Sequence, residues 1–355
     1  MSGKIVVALI FGGRSAEHEV SLISASAVHQ NLDKAKFEIR SIYITRDGLW
    51  KAVDAPRPDP KELSPGPTYP FLPWQVNGLA ERIAADIYFP ILHGPCGEDG
   101  TIQGVFEMAG VPYVGASVLG SALGMDKASA KVLFRARGLT VVPWRTILER
   151  EWRQDRAGIL RRIGREFPLP LFVKPSNLGS SVGITKVKDR GRIEEALDTA
   201  FKYDAKAVVE KGIAGREIEC SVLGNDAPEA SVPGEVIPHR EFYDYNDKYV
   251  EGKTRFVVPA RLSRATTAKV RRWAVEAFEA LDVRGLARVD FFLERGTGRL
   301  YVNEVNTIPG FTEISMYPRL WAASGLPFPR LLERLVALGF ERHTARKACV
   351  DRDPR

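Results

Sequence analysis

Only three cysteines, Cys96, Cys220 and Cys349, stand in 355 residues. They are scattered and odd in number, which fits a reducing compartment better than a disulfide framework. There is no CxxC and no His-x-x-x-His, so a zinc site of ordinary spacing is not expected. The phosphate-loop sequence GxxxxGK[ST] is absent as well. The first apolar run ends in "GGRSAE", without the GxGxxG spacing of a dinucleotide fold, which disfavours a dehydrogenase. No apolar run approaches the roughly 20 residues that span a bilayer, so no membrane partner is expected. "MSGKIVVALIFGG" is followed by "AEHE" with no small-residue cleavage site. It reads as a first strand, and the chain as cytoplasmic.

What is present is a soluble globular composition, 45% hydrophobic and 27% charged. The length is too great for one ordinary core and implies two or three domains. A net charge of +7 could suggest nucleic acid, but basic residues alternate with acids in pieces such as "KVRRWAVEAFEA". No RRM, KH or helix-turn-helix pattern accompanies them, so no nucleic-acid partner is expected. Anionic small substrates account for the basic residues equally well.

Residues 1–122 alternate strand and helix signals: "IVVALI", "VSLISASAVHQNL", "FEIRSIYIT" and "ADIYFPIL", the last leading into "HGPCGEDG". That order predicts a Rossmann-like α/β domain with a parallel sheet and ligand loops at the strand ends. Pro56 to Pro73 reads only as loop. Residues 123–212 read as a smaller α+β unit: the helix "MDKASAKVLFRARG", the strand "VPWRTIL" and a charged helix near 151–166. "LFVKPSNLGSSVGITKVK" follows as strand, glycine-serine loop and strand, then the helix "RIEEALDTAFKY" and the strand "AVVEKGI". Residues 213–343 hold "REIECSVLG", a long helix from Arg264, and the strands "GLARVDFFLE" and "RLYVNEVN" around the turn "RGTG". After the helix "PRLLERLVALGF" a polar, frayed tail is expected from about 341, with 344–355 outside the domains.

Residues two apart on a strand share a face. Glu304 and Asn306 therefore point the same way, as do Arg288 and Asp290. If the two strands pair, Asp290, Glu304 and Asn306 can converge on one hard cation, and oxygen-only ligands suit Mg²⁺. Arg288 beside them could neutralise an anion. Seen alone, the same spacing also suits an edge hairpin facing solvent. Lys174 at a strand end can hold phosphate as a point charge, and Gly179, Ser180, Ser181 and Gly183 can fold N–H groups and hydroxyls over it. The plain alternative is a surface turn. Glu210 and Lys211 end an apolar strand whose backbone could meet an adenine edge, with Glu217 near ribose, although charged strand ends are commonly just solvated.

Taken together, Lys127 in "MDK", "VKPSNLGSSVG", "EKGIAGREIE", "ARVDFF" and "NEVNTIPGFT" resemble the ordered motifs of ATP-grasp ligases. "FGGRSAEHEVSLISA", "LHGPCGEDGTIQG" and "YDYNDKYVEGKT" are similar, more narrowly, to the D-alanine–D-alanine ligase family, from about residue 4 to 340. The resemblance implies a three-domain ATP-grasp fold and ATP-dependent joining of two D-alanines through an acyl phosphate, feeding peptidoglycan precursors. It implies ATP contacts at Lys127, Lys174, Ser180 and Ser181, and adenosine contacts at Glu210, Lys211 and Glu217. Asp290, Glu304 and Asn306 would hold two Mg²⁺ or Mn²⁺ ions, while Arg288 and the N–H of Gly310 stabilise the tetrahedral oxyanion. Glu17 would hold the first D-alanine's ammonium beside His93. Ser315 and Lys248 would take the second D-alanine's carboxylate, with Met316 in the same subsite. Tyr249 and Ser180 would bond to Glu17 when a loop closes, and the intact Lys248–Tyr249 pair favours an amine acceptor over D-lactate. A homodimer is implied too. The rival readings are an ATP-grasp ligase for another acid and amine, and a nucleotide-sensing or nucleic-acid-binding protein.

Overall fold

The structure is a computed structural model that describes residues 3–63, 66, 68–69, 83–179, 181–238, 254–312 and 314–350. Its first sheet contains β1 (Ile5–Gly12), β2 (Phe37–Ile44), β3 (Trp50–Val53), β4 (Thr68–Tyr69) and β5 (Ile87–Ile91), in the order β4-β3-β2-β1-β5. β1 pairs in parallel with both β2 and β5, so its strand is covered on both sides and is buried from Val7 onward. The expected parallel sheet holds only there, because β3 and β4 add on antiparallel. The cause is "TRDG", where Gly48 has a φ of +92° and its N–H reaches the Thr45 carbonyl at 3.0 Å. An Asp-Gly pair is a hairpin signal, and it turns the chain straight back. The stretch expected to be only loop likewise supplies β4 and a 3₁₀ turn at Pro60–Glu62.

The second sheet has β6 (Trp144–Leu148), β7 (Leu171–Pro175), β8 (Thr185–Val187) and β9 (Lys206–Lys211), in the order β6-β9-β7-β8, all antiparallel. The charged helix expected near 151–166 is two helices, Glu149–Gln154 and Arg156–Glu166. Asp155 separates them by leaving helical dihedrals, and its side chain accepts the Gly158 N–H at 2.8 Å. An Asp at that position starts a new helix by satisfying an orphan donor.

The third sheet comprises β10 (Gly215–Gly224), β11 (Glu229–Ala230), β12 (Gly234–Ile237), β13 (Arg255–Val257), β14 (Gly285–Glu294) and β15 (Leu300–Asn306). Its order is β13-β12-β10-β14-β15, with β11 on β10. The helix Arg264–Ala280 covers its back through Val270, Trp273, Ala277 and Phe278. The helix Lys127–Ala136 buries Ala130 and Phe134 in this same core, although its sequence groups it with the central segment.

The cores show which parts are fused. Val7, Leu9 and Phe11 of β1 share one apolar cluster with Leu286, Phe311, Tyr317 and Leu331 to Leu338 of the last third. The central sheet has a separate cluster, running from Ile147 to Val209. The closing helix, Phe328–Val350, passes straight through the segment expected to fray. Arg342 explains the difference: it donates to the carbonyls of Tyr113, at 3.0 Å, and Gly115, with its guanidinium 3.9 Å from the Tyr113 ring centroid. A polar sequence is held helical by contacts its own periodicity does not reveal.

Candidate active site

Strand register builds the first charged group. β10, β14 and β15 lie side by side, with Glu219 opposite Asp290 and Asp290 opposite Glu304. Three carboxylates thus form a row across three strands, an arrangement that is unfavourable without a cation. Arg288 supplies one. Its Nε and Nη2 donate to the two Asp290 oxygens at 2.7 Å each, and Nε lies 3.1 Å from Glu219. Burial would lower the pKa of Arg288, but Asp290 and Glu219 drive it well above its ordinary value. Asn306, opposite Arg288, donates to Asp290 at 3.0 Å. The convergence expected of Asp290, Glu304 and Asn306 is therefore present, and Glu219 joins it.

The second charged group is cationic. Phe172 is in register with Glu210 and Lys174 with Val208, so Lys174 and Glu210 are diagonal neighbours on one face of the central sheet. Lys174 Nζ lies 2.7 Å from one Glu210 oxygen, and Lys131 Nζ lies 2.9 Å from the other. All three side chains are buried. Burial would raise Glu210, yet the two ammonium groups hold its carboxyl down at about 2. Burial would lower Lys174, but Glu210 outweighs it and the pKa is raised. Lys127 sits one helical turn from Lys131, donates to the Leu178 carbonyl at 2.7 Å and lies 3.6 Å from Glu304.

Between these groups is a cavity of about 480 Å³. Lys174, Lys186, Lys211, Glu217 and Ser181 line it, together with the apolar Phe172, Ile218 and Phe292 and the carboxylates Asp290 and Glu304. Glu210 also lines it, with its carboxylate paired to Lys131 and Lys174. Lys211 is 3.6 Å from Glu294 at the rim. A smaller cavity of about 60 Å³ adjoins Glu304 and Asn306 and is lined also by Lys127, Gly179 and Glu98.

The loops after β1 and β5 make the other end of the site. Glu17 is buried, and a Cβ added at Gly94 or Gly179 would come within 2.6 or 2.8 Å of its Oε2. Glycine at both positions is what lets two loops close on that carboxylate. His93 donates from Nδ1 to the Ile308 carbonyl at 2.9 Å and accepts at Nε2 from Ser24 at 3.2 Å. Burial lowers its pKa, so it is a neutral tie between the β5 loop and the 307–311 loop. Ser24 also accepts the Phe311 N–H at 3.4 Å, extending that tie. A Cβ on Gly310 would lie 2.8 Å from Ser315 Oγ, which itself accepts the Thr312 N–H at 3.1 Å. Met316 is packed with Val236 and Leu320. Ser180, Lys248 and Tyr249 lie outside the described residues.

Three participants escaped the sequence reading. Glu219 follows Glu217 by two, the same-face strand period. Lys131 follows Lys127 by four, the helical period. Glu98 hides in "GPCGEDG": it accepts the N–H of Gly94 at 2.8 Å and of Ile308 at 3.3 Å. Burial and the nearby Glu17 raise its pKa to about 8.

Among the described residues no three His, Cys, Asp or Glu side chains close into a metal cage by themselves. The row nevertheless suits a divalent cation that takes its other ligands from an amide, waters and phosphate oxygens. Its donors are hard oxygens, and its carboxylates outnumber its one guanidinium. Among the described residues no helix is long and apolar enough to cross a membrane.

Two family models match: the D-ala D-ala ligase N-terminus over residues 6–116 and the D-ala D-ala ligase C-terminus over 133–337. The chain is 46% identical to a D-alanine–D-alanine ligase of Heliobacterium modesticaldum, with 99% of each covered. Its fold is similar to the D-alanine-D-alanine ligase structure from Coxiella burnetii, at a TM-score of 0.83 and 36% identity, covering 98% of this chain and 97% of that one. It is also similar to the VanG D-Ala:D-Ser ligase from Enterococcus faecalis, at a TM-score of 0.80 and 36% identity, covering 95% and 100%.

Proposed function

Since the chain belongs to the D-alanine–D-alanine ligase family, we infer that it joins two D-alanines to D-alanyl-D-alanine with cleavage of ATP, for peptidoglycan precursor synthesis. The observation that carries the site reading is one cavity lined both by Lys174, Lys186 and Lys211 and by the carboxylate row Glu219, Asp290 and Glu304.

A carboxylate is a poor acyl donor because its leaving group would be oxide. Passing the γ-phosphoryl of ATP to the first D-alanine's carboxylate forms an acyl phosphate, whose leaving group is phosphate. The second D-alanine's amine then attacks that carbonyl, and phosphate departs as the peptide bond forms. The chain's task is to hold these anionic partners in line. Lys127 and Lys174 take ATP phosphates, with Ser180 and Ser181 from the glycine lid above them. Backbone groups at Glu210 and Lys211 meet adenine, and Glu217 faces ribose. Glu17 receives the first ammonium, while His93 fixes the loop around it. Ser315 and Lys248 receive the second carboxylate, with Met316 in the same subsite. Tyr249 and Ser180 close over Glu17. Arg288 and the Gly310 N–H face the developing oxyanion. Asp290, Glu304 and Asn306 would hold Mg²⁺ or Mn²⁺, which when bound offsets charge on the phosphates.

Residues 1–122 grip the first amino acid, 123–212 form the lid and 213–343 carry the catalytic strands. The separate core of the central sheet supports a lid from Ile147 to Val209, which can tilt without breaking a shared cluster, whereas the helix Lys127–Ala136 packs in the third sheet's core. Homodimerisation, a cytoplasmic site and the lack of a nucleic-acid partner belong to the same reading and rest on the family and on the interspersed charge. Phosphate release from ATP and Mg²⁺ should require D-alanine and fail with L-alanine or D-lactate alone, with D-alanyl-D-alanine identified by mass. Turnover with D-serine as the sole accepted second amino acid would move the chain toward its D-Ala:D-Ser neighbour. No turnover with any of them would overturn the substrate assignment.

A further inference from the structure

Lys131 has no part in the mechanism above, yet it is among the most deeply buried large side chains, at 1% exposure. Burying an ammonium is costly, and a lysine that filled space alone would be better replaced by leucine or methionine. Its partner Glu210 is also the partner of Lys174. One carboxylate therefore answers two ammonium groups, and the trio keeps a surplus of one positive charge. We propose that Lys131 is a positioning residue for nucleotide phosphate: it shares the Glu210 carboxylate with Lys174, so that Lys174 keeps part of its positive charge for a ligand in the cavity.

The geometry gives this its direction. Lys131 comes from the helix Lys127–Ala136 and meets the Glu210 carboxylate without lining the cavity, whereas Lys174 and Glu210 line it. Without Lys131, Lys174 and Glu210 would form a neutral pair, and the cavity would lose its buried positive surplus without losing a wall. The low pKa of Glu210 agrees with a carboxylate that stays ionised between two ammonium groups. The inference rests on the reading of the 480 Å³ cavity as the nucleotide site.

A surplus of charge is felt by phosphates and not by a nucleoside, which separates this role from support of the fold. Binding of ADP and of adenosine should be measured by calorimetry for the whole chain, for Lys131→Met and for Lys131→Arg. Lys131→Met should weaken ADP by about 10- to 100-fold, as loss of a supporting partner behind a ligand-binding group does. Adenosine affinity should stay within about twofold, and Lys131→Arg should keep most ADP affinity, because the charge is retained. Lys131→Gln, which still offers Glu210 a donor, serves where the methionine variant does not fold, with the same expectation. Equal losses for ADP and adenosine would overturn the proposal in favour of a structural role, and an unchanged ADP affinity would overturn it outright. Phe292→Ala, on the cavity wall, is the control. If it weakens both ligands while Lys131→Met changes neither, only the proposal fails. If it changes neither ligand, the cavity is not the nucleotide site and both readings fall.

Discussion

The two buried charge clusters differ by sign. In the central sheet, Lys131 and Lys174 face one carboxylate, Glu210. In the third sheet, Arg288 faces two carboxylates, Glu219 and Asp290, and Asn306 donates to Asp290. The first is left one positive charge in surplus and the second one negative. A polyphosphate with its divalent cation, laid between them, would complement both signs. The difference teaches that these clusters are not fold-stabilising salt bridges, since burying an unbalanced set costs more than it returns. On the proposed reading they are half of a complex.

The sharpest way to break the contrast is Arg288→Met, which leaves Glu219 and Asp290 facing each other. Turnover should fall about a thousandfold, the scale for losing a group that meets developing charge. Urea unfolding should show a loss of about 3 kcal/mol, because the acids are stranded. An intact rate would mean the guanidinium serves only the fold. Glu304→Gln removes one charge from the metal-facing end and keeps the shape. It should cut turnover by about a hundredfold and raise the Mg²⁺ concentration needed, as changes at metal ligands and their partners do. Titrating activity against metal checks this, and an unaltered metal requirement would make the hairpin merely structural.

A milder effect separates the two clusters from Glu98, which belongs to neither. Its pKa is raised from 4.5 to about 8 in the fold. The native state therefore holds a proton that the unfolded chain gives up between those values. The protonated carboxyl contributes stability that is fully present below pH 4.5 and is lost as pH rises toward 8. Glu98→Gln should flatten that slope in unfolding curves taken across the window, and a slope identical to the parent would contradict the assignment. The smallest effect is expected at the exposed pair Arg156–Glu194, 2.8 Å apart. Glu194→Gln should change stability by no more than about 0.5 kcal/mol and turnover not at all. A larger change would show that exposed and buried pairs are not as different as claimed.

Period-2 spacing put Arg288 with Asp290 and Glu304 with Asn306 before any coordinates, and the strand pairing joined the two sets. Lys174 and Glu210 were each visible, but their contact was not. It depends on a diagonal across β7 and β9, whose pairing lies between residues more than thirty apart in the chain. Glu219 and Lys131 carry the periodic signal, but an extra charge on a strand or helix usually faces water, so the sequence alone does not mark them. The antiparallel edge of the first sheet was written in the Asp-Gly of "TRDG". The helical end of the chain was not legible at all, because Arg342 is held by carbonyls at Tyr113 and Gly115, far off in sequence.

The central claim is that the two surpluses bind the two halves of a metal nucleotide. A crystal structure with ADP and Mn²⁺, with anomalous scattering to locate the metal, tests it most directly. The expected map has phosphate oxygens against Lys174 and Lys127, with manganese between them and Asp290, Glu304 and Asn306. Manganese bound elsewhere, or phosphates pointing away from Lys174, would contradict the account.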